Sequence, residues 1–134
     1  MLQEIATAHR NNQYKTKRWF TDSNMNLFVW FKDQVPICFQ LNYKKSQREY
    51  SINWHTKTGY THNQIKPELR HIKYRTSSIH STECKFNVAF TAREFLQASD
   101  YIEASLADFI FARLIEYPGQ LEIRSNPALV SKNL

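Results

Sequence analysis

The fold is decided by residues 27–56, which read LFVWFKDQVPICFQLNYKKSQREYSINWHT. From residue 37 onward apolar and polar side chains alternate, which predicts two antiparallel strands joined by a loop at residues 45–48. A loop at this place brings the apolar faces of the two strands together in favourable cross-strand pairs. The predicted pairs are Tyr43 with Tyr50, Leu41 with Ile52, Phe39 with Trp54 and, on the opposite polar face, Cys38 with His55.

Further strands are predicted on both sides of this hairpin. Residues 18–21, 71–76 and 84–90 have the composition and alternation of strands, whereas residues 2–9 carry a short helical stripe. The sequence therefore predicts an α+β fold, in which an antiparallel β-sheet of about five to six strands forms a β-meander. C-terminal helices are expected to pack on one face of that sheet.

The helical part is predicted from a change of period after the last strand. Thr91 and Glu94 form a capping box, which predicts the helix start, and the apolar stripe that follows bends near residues 100–103. We expect residues 1–119 to form a single α+β domain. Residues 120–134 show no clear period and are expected to be a C-terminal tail, either docked or flexible.

The apolar strand of residues 27–31 can face two ways, depending on the loop that follows it. A four-residue loop places Phe28 and Trp30 in the core, whereas a three-residue loop places Trp30 beside Cys38 on the polar face. We favour the longer loop, because Pro36 lacks an N–H donor and the two-residue alternative, Gln34-Val35, lacks residues that favour the positive φ of a tight hairpin turn. With this loop Leu27, Val29 and Phe31 lie on the polar face. We therefore expect the N-terminal segment or a partner subunit to cover part of that face.

The composition indicates a folded and basic protein. With 134 residues, of which 42% are hydrophobic, the chain is long enough to bury a core. The net charge of +6 is uneven, since residues 1–90 carry 14 Lys and Arg against 6 Asp and Glu, and the remainder carries 4 against 6. A basic surface permits an anionic partner. Two isolated cysteines, with no signal peptide and no long apolar run, predict a cytoplasmic protein without a membrane segment.

Motifs for catalysis and cofactor binding are missing from the sequence. Its two glycines do not stand in a nucleotide-binding pattern, and its five histidines lack metal-ligand spacing, so we predict no cofactor and no metal. Cys38 beside His55 would form an activated thiol if the side chains touch, but the plainer interpretation is a cysteine that fills space beside a hydrogen-bonded histidine. We therefore favour a non-enzymatic role.

The polar face of the sheet is the predicted binding surface. Amide, imidazole and cationic groups recognise small polar ligands, anions or protein surfaces, although solvated sheet faces commonly have the same composition. We expect a protein that binds a partner protein, a second copy of itself or a small polar ligand there. The alternatives are a nucleic-acid-binding module that uses the basic sheet face, and an enzyme that uses Cys38 and His55. The candidate binding residues are Gln40, Asn42, Asn53, His55, His71, Lys73, Arg75 and Lys85.

Short stretches of the chain resemble a group of small uncharacterised bacterial proteins of similar length. The residues of this chain that carry the resemblance are Arg18-Trp19-Phe20, LFVWF at residues 27–31, Phe39-Gln40-Leu41, Tyr43, Trp54, Gly59 and His62. The resemblance spans most of the chain and implies a strand-rich N-terminal part and a helical C-terminal part, with no assigned activity. The group carries more acidic residues where this chain has Lys44, Lys66 and Pro67, so anion binding by those lysines would be particular to this chain.

Overall fold

The computed structural model describes residues 1–5, 9–12, 15–66, 82–83 and 86–118, which belong to two compact units, Met1–Cys84 and Lys85–Leu134. The first unit contains a β-sheet and the second contains two helices. The strands are β1 (Gln3–Glu4), β2 (His9–Asn12), β3 (Lys15–Thr21), β4 (Met25–Lys32), β5 (Val35–Lys45), β6 (Arg48–His55), β7 (Gly59–Ile65) and β8 (Thr82–Glu83). The helices are α1 (Val88–Ala98) and α2 (Ala104–Ile115).

The sheet is antiparallel, and its strands lie in the order β1, β3, β4, β5, β6, β7 and β8, while β2 also pairs with β3. The long strands β3 to β7 therefore form a meander in which each strand pairs with the next along the chain. This meander, followed by two helices, confirms the predicted α+β class. Neither described helix is long and apolar enough to cross a membrane.

The hairpin of β5 and β6 has the predicted register. Tyr43 pairs with Tyr50, their ring centroids lie 5.6 Å apart, and the other predicted pairs are present as well. The connection is shorter than the predicted four-residue loop, because only Ser46 and Gln47 lie outside the ladder. Both have positive φ, 55° and 65°. Positive φ at two successive residues lets a tight turn follow the twist of the strands.

The predicted loop between β4 and β5 is wrong, and the two faces of β4 are the reverse of those expected. The turn consists of only two residues, Asp33 and Gln34, with φ angles of 53° and 69°. One extra residue in β5, Ile37, forms a bulge and shifts the register, so that Trp30 pairs with Cys38. The prediction failed because the two-residue turn that it excluded was Gln34-Val35, whereas the chain turns at Asp33 and Gln34 and places polar side chains at positive φ.

The side chains of the sheet separate into a buried apolar face and a polar face. Phe28 and Trp30 lie on the polar face and are partly buried, whereas Leu27 and Val29 are fully buried on the apolar face. The expectation that the remaining apolar residues of β4 lie on the polar face is therefore wrong. The buried residues of the apolar face are Phe20, Met25, Leu27, Val29, Phe39, Leu41, Tyr43, Ile52 and His62.

One buried histidine is held within this apolar face by two tyrosines. The Tyr43 hydroxyl lies 2.6 Å from His62 Nε2 and forms a hydrogen bond with it. The imidazole also stacks on the ring of Tyr50, with centroids 5.7 Å apart and ring planes 8° from parallel. A buried imidazole requires such a partner, because an unpaired polar group in an apolar environment costs about 1–3 kcal/mol.

The N-terminal residues that the structure describes are extended, so the predicted helical stripe at residues 2–9 is wrong. β1 lies along β3, and the backbone N–H of Ile5 donates to the carbonyl of Trp19 at 2.8 Å. Arg18 donates from Nε and Nη2 to the two carboxylate oxygens of Glu4, each at 2.8 Å. This bidentate pair offers β1 a partner that an isolated helix of the same residues would lack.

Helix α1 begins earlier than predicted. Its N-cap is Asn87, whose Oδ1 accepts a hydrogen bond from the backbone N–H of Phe90 at 2.9 Å. Thr91 therefore lies inside the helix, where its hydroxyl is buried and has no hydrogen-bond partner among the described residues. The strand predicted for residues 84–90 is wrong from residue 86 onward, since Phe86 and Asn87 lie outside any strand and the helix begins at Val88.

The two helices are separated at the predicted bend. Ser99 ends α1, and both its N–H and its hydroxyl donate to the carbonyl of Leu96.

The strand predicted for residues 71–76 and the tail of residues 120–134 lie outside the described residues. Buried helical residues are Thr91, Ala92 and Phe95 in α1, and Leu106, Ala107, Ile110 and Leu114 in α2.

Candidate ligand-binding site

Four of the predicted binding residues occupy adjoining positions on the polar face. Gln40 pairs with Asn53 across β5 and β6, and Asn42 pairs with Ser51 next to them. His55 pairs with Cys38 on the other side of the Gln40 position. The remaining predicted residues, which are His71, Lys73, Arg75 and Lys85, lie outside the part of the chain that the structure describes.

Hydrogen bonds along the strands fix two of the amide side chains. Gln40 Nε2 donates to Asn42 Oδ1, and Asn53 Nδ2 donates to Ser51 Oγ, each at 3.1 Å. A primary amide has two N–H donors and an acceptor oxygen, and the bond to Ser51 uses only one of these donors. Asn53 is therefore held in one orientation while it retains groups that can donate to and accept from a ligand.

Three aromatic side chains on the same face, Trp19, Phe28 and Trp30, form an aromatic row. Trp19 stacks on Phe28 with centroids 5.7 Å apart, and Phe28 lies 6.4 Å from Trp30. The ammonium group of Lys17 lies over Phe28 and Trp30, at 5.0 Å and 5.3 Å from their centroids. Each cation–π contact of this kind contributes about 0.5–1 kcal/mol at an exposed site. Lys17 therefore covers part of the ring surface that a stacking ligand would use.

Trp30 also borders a shallow depression of 170 Å³ beside the turn between β6 and β7. Its wall combines the indole ring with amide, imidazole and hydroxyl groups. None of the described residues that line it is an acid, a lysine or an arginine. The lining residues are Trp30, Cys38, Phe39, Asn53, Trp54, His55, Thr58, Gly59 and Thr61.

The turn between β6 and β7 orients His55 and leaves space beside it. His55 Nδ1 accepts a hydrogen bond from the backbone N–H of Lys57 at 3.0 Å, so the neutral ring carries its proton on Nε2. Gly59 has a φ of 83°, and beyond Gly59 and its two chain neighbours no described heavy atom lies within 4 Å of the position that a Cβ would occupy there. The margin of the depression at Gly59 is therefore open.

Cys38 and His55 are cross-strand neighbours, as predicted. Cys38 is half-buried. Activation of a cysteine nucleophile requires a base and, as a rule, a third side chain that orients the base. Here the backbone N–H of Lys57 orients the imidazole. In the described ranges, no three His, Cys, Asp or Glu side chains are grouped so that they could hold a metal ion.

Sequence reasoning missed three side chains of the depression, namely Trp30, Thr58 and Thr61. Trp30 depended on the β4–β5 register, which was predicted wrongly. Thr61 lies in β7, where polar residues occupy both sides of the strand and give no period-2 signal. Thr58 lies in the turn before β7, and the following Gly59 is its only sequence signal.

Comparison with protein-family models, with curated proteins and with solved structures gives no match to this chain. The fold and the site together describe an α+β protein with an antiparallel sheet, whose polar face carries a small depression. Because the fold alone does not define a function, the chemistry of this depression must carry the functional argument.

Proposed function

We propose that this protein is a non-enzymatic binding module that holds a small polar ligand in the depression on its polar face. The observation that carries the proposal is the β4–β5 register, which places Trp30 beside Cys38. An indole ring thereby joins Asn53 and His55 around one depression. Small-molecule sites typically combine an aromatic or apolar wall with a few convergent polar groups, and this site has that composition.

The contacts around the depression support binding because they orient its groups before a ligand arrives. Asn53 is held by a side-chain hydrogen bond, His55 by a backbone N–H, and Trp30 by the cation–π contact with Lys17. A site whose side chains are already ordered loses less conformational entropy when it binds. This preorganisation compensates in part for the small size and open shape of the site.

A protein partner, or a second copy of the chain, would use the polar face more broadly than a small ligand. Trp19 is 36% exposed and extends the aromatic row away from the depression. A protein partner would bury the whole row, whereas a small ligand would contact only Trp30. Substitution of Trp19 therefore distinguishes the two kinds of partner.

The test is ligand-observed NMR with a panel of sugars, nucleosides, amino acids and inorganic phosphate. We expect one class of ligand to bind the wild type and the Trp19→Ala variant with equal affinity. The same class should bind the Trp30→Ala variant at least about tenfold more weakly, because contact with an aromatic ring contributes about 0.5–1.5 kcal/mol beyond its buried area. Absence of binding by every class would refute the proposal. An equal loss in both variants would show that the ligand uses the whole aromatic row instead of the depression.

A second candidate function, binding of single-stranded nucleic acid, is favoured by the position of Lys17 over two rings of the aromatic row. Bases stack on exposed aromatic rings, and cations beside the rings neutralise phosphates. An oligothymidine probe should then bind with an affinity that falls steeply as the salt concentration rises. Lys17→Gln should reduce the slope of log affinity against log salt concentration by about one. No binding at low salt would exclude this function.

A further inference from the structure

We infer that the ligand of the depression is a single neutral sugar ring, an inference that rests on the proposed function and names its ligand class. Three properties of the site lead to it: the indole plane of Trp30, polar groups that can both donate and accept, and a small lining without Asp, Glu, Lys or Arg. A pyranose has complementary properties, because it presents C–H groups on its faces and hydroxyl groups around its edge.

The indole of Trp30 provides the surface for the C–H groups. A sugar cannot form hydrogen bonds through the hydrogens on its ring carbons, so it gains free energy when these are removed from water against an apolar plane. Tryptophan offers the largest such plane among the side chains. Trp30 is partly buried, and its contacts with Phe28 and Lys17 hold the ring in place.

The polar side chains of the depression match hydroxyl groups. A hydroxyl both donates and accepts, and it is best satisfied where donors and acceptors lie together. Asn53 offers an amide oxygen and an N–H, His55 offers Nε2–H, and Thr58 and Thr61 offer hydroxyls of their own. These groups belong to β6, to the turn and to β7, so they can contact hydroxyl groups at several points around a sugar ring. Recognition of a nucleobase would instead require polar groups that follow one flat edge.

The lining and the size of the depression favour one neutral ring over an anion or a chain of sugars. Phosphates and carboxylates are typically bound by Arg or Lys, and none of the lining residues is of that kind. The ammonium group of Lys17 lies over the Trp30 ring, 5.3 Å from its centroid, where it makes a cation–π contact. The volume of 170 Å³ is below the range of about 300–1,000 Å³ that is usual for drug-sized ligands. The open margin at Gly59 would allow a further sugar to extend into solvent.

Saturation-transfer NMR with defined probes tests this inference. The neutral probes are methyl β-D-glucopyranoside, methyl α-D-mannopyranoside and N-acetylglucosamine, and the contrasting probes are methyl β-D-glucuronide and adenosine. We expect a neutral probe to bind the wild type with a Kd of about 1–10 mM, as suits one ring in a shallow site. The strongest saturation should appear on C–H protons of a single sugar face.

Variants of the site then assign the binding. Trp30→Ala should weaken the neutral sugar at least about tenfold, and Trp30→Phe should weaken it less, because it keeps a smaller aromatic plane. Thr61→Val should weaken binding while its thermal unfolding stays close to that of the wild type. Trp19→Ala is the matched control and should bind like the wild type.

The outcomes separate the two proposals. Binding of the glucuronide or of adenosine, but of no neutral sugar, with the same dependence on Trp30 would overturn the sugar assignment and leave the proposed function intact. Binding of no probe and of no member of the wider panel would overturn both. Sugar binding that is unchanged in folded Trp30→Phe and Trp30→Ala proteins would overturn the assignment to this depression.

Discussion

Replacement of Gln34 by glycine should stabilise the protein, and the sign of this effect tests the turn on which the site depends. Gln34 has a φ of 69°, and a left-handed conformation costs a non-glycine residue about 1–2 kcal/mol. Glycine removes that cost but loses about 0.5–1 kcal/mol more backbone entropy on folding. The expected net effect is an increase of up to about 1.5 kcal/mol in the free energy of unfolding.

Two glycine substitutions elsewhere serve as matched controls. Gln47 has a φ of 65° in the turn between β5 and β6, so Gln47→Gly should stabilise the protein by a similar amount. Lys44 is exposed within β5 and is not among the positive-φ residues of the described chain. Lys44→Gly should therefore carry only the entropic cost and lower the free energy of unfolding by about 0.5–1 kcal/mol.

Urea unfolding followed by circular dichroism measures the three variants. A change in stability alone moves the midpoint and leaves the m-value unchanged. In the four-residue loop of the sequence prediction, residue 34 would not need positive φ, and Gln34→Gly would destabilise the protein as Lys44→Gly does. That result would refute the two-residue turn, and with it the placement of Trp30 on the polar face.

Two further predictions concern the core and the helix start, and urea unfolding also measures these. Tyr43→Phe removes the hydroxyl that lies 2.6 Å from His62 Nε2 and should cost about 1–3 kcal/mol, whereas Tyr50→Phe keeps the ring stack and should cost under about 0.5 kcal/mol. Equal losses would contradict the hydrogen bond. Asn87→Ala removes the N-cap and should cost about 0.5–2 kcal/mol, while Thr91→Val removes a buried hydroxyl without a described partner and should be neutral or stabilising. The reverse order would place the cap at Thr91.

The predictability of each strand followed from how clearly its two faces differ. In β5 and β6 apolar and polar residues alternate, so only one register buries both apolar faces, and the cross-strand pairs were predicted correctly. In β4 the residues of both sides are apolar, and either register buries an apolar set. The choice then depended on the turn, where Asp33 and Gln34 adopt positive φ without the glycine that normally indicates it.

The start of helix α1 and the candidate site were also ambiguous in the sequence, because more than one arrangement fits the local pattern. Asn87 and Thr91 are both good N-cap residues, so local preference did not decide between them, and the observed cap at Asn87 leaves Thr91 buried inside the helix. Prediction of the depression would have required three things together: the register of β4, the position of the turn between β6 and β7, and the orientation of β7. The polar amides of β5 and β6 could be predicted because they needed only the one register that the pattern determined.

Apolar side chains on both sides of β4 make residues 27–31 an aggregation hazard in the newly synthesised chain. The segment is uncharged, lacks proline and glycine, and has high β-propensity, which is the composition of stretches that stack between molecules. After folding, β3 and β5 cover both of its edges. The proposed ligand site depends on Trp30 and would keep that face of the strand apolar, so charge must come from neighbouring residues such as Lys17 and Lys32. Solubility and the proposed binding therefore impose opposite demands on the same five residues.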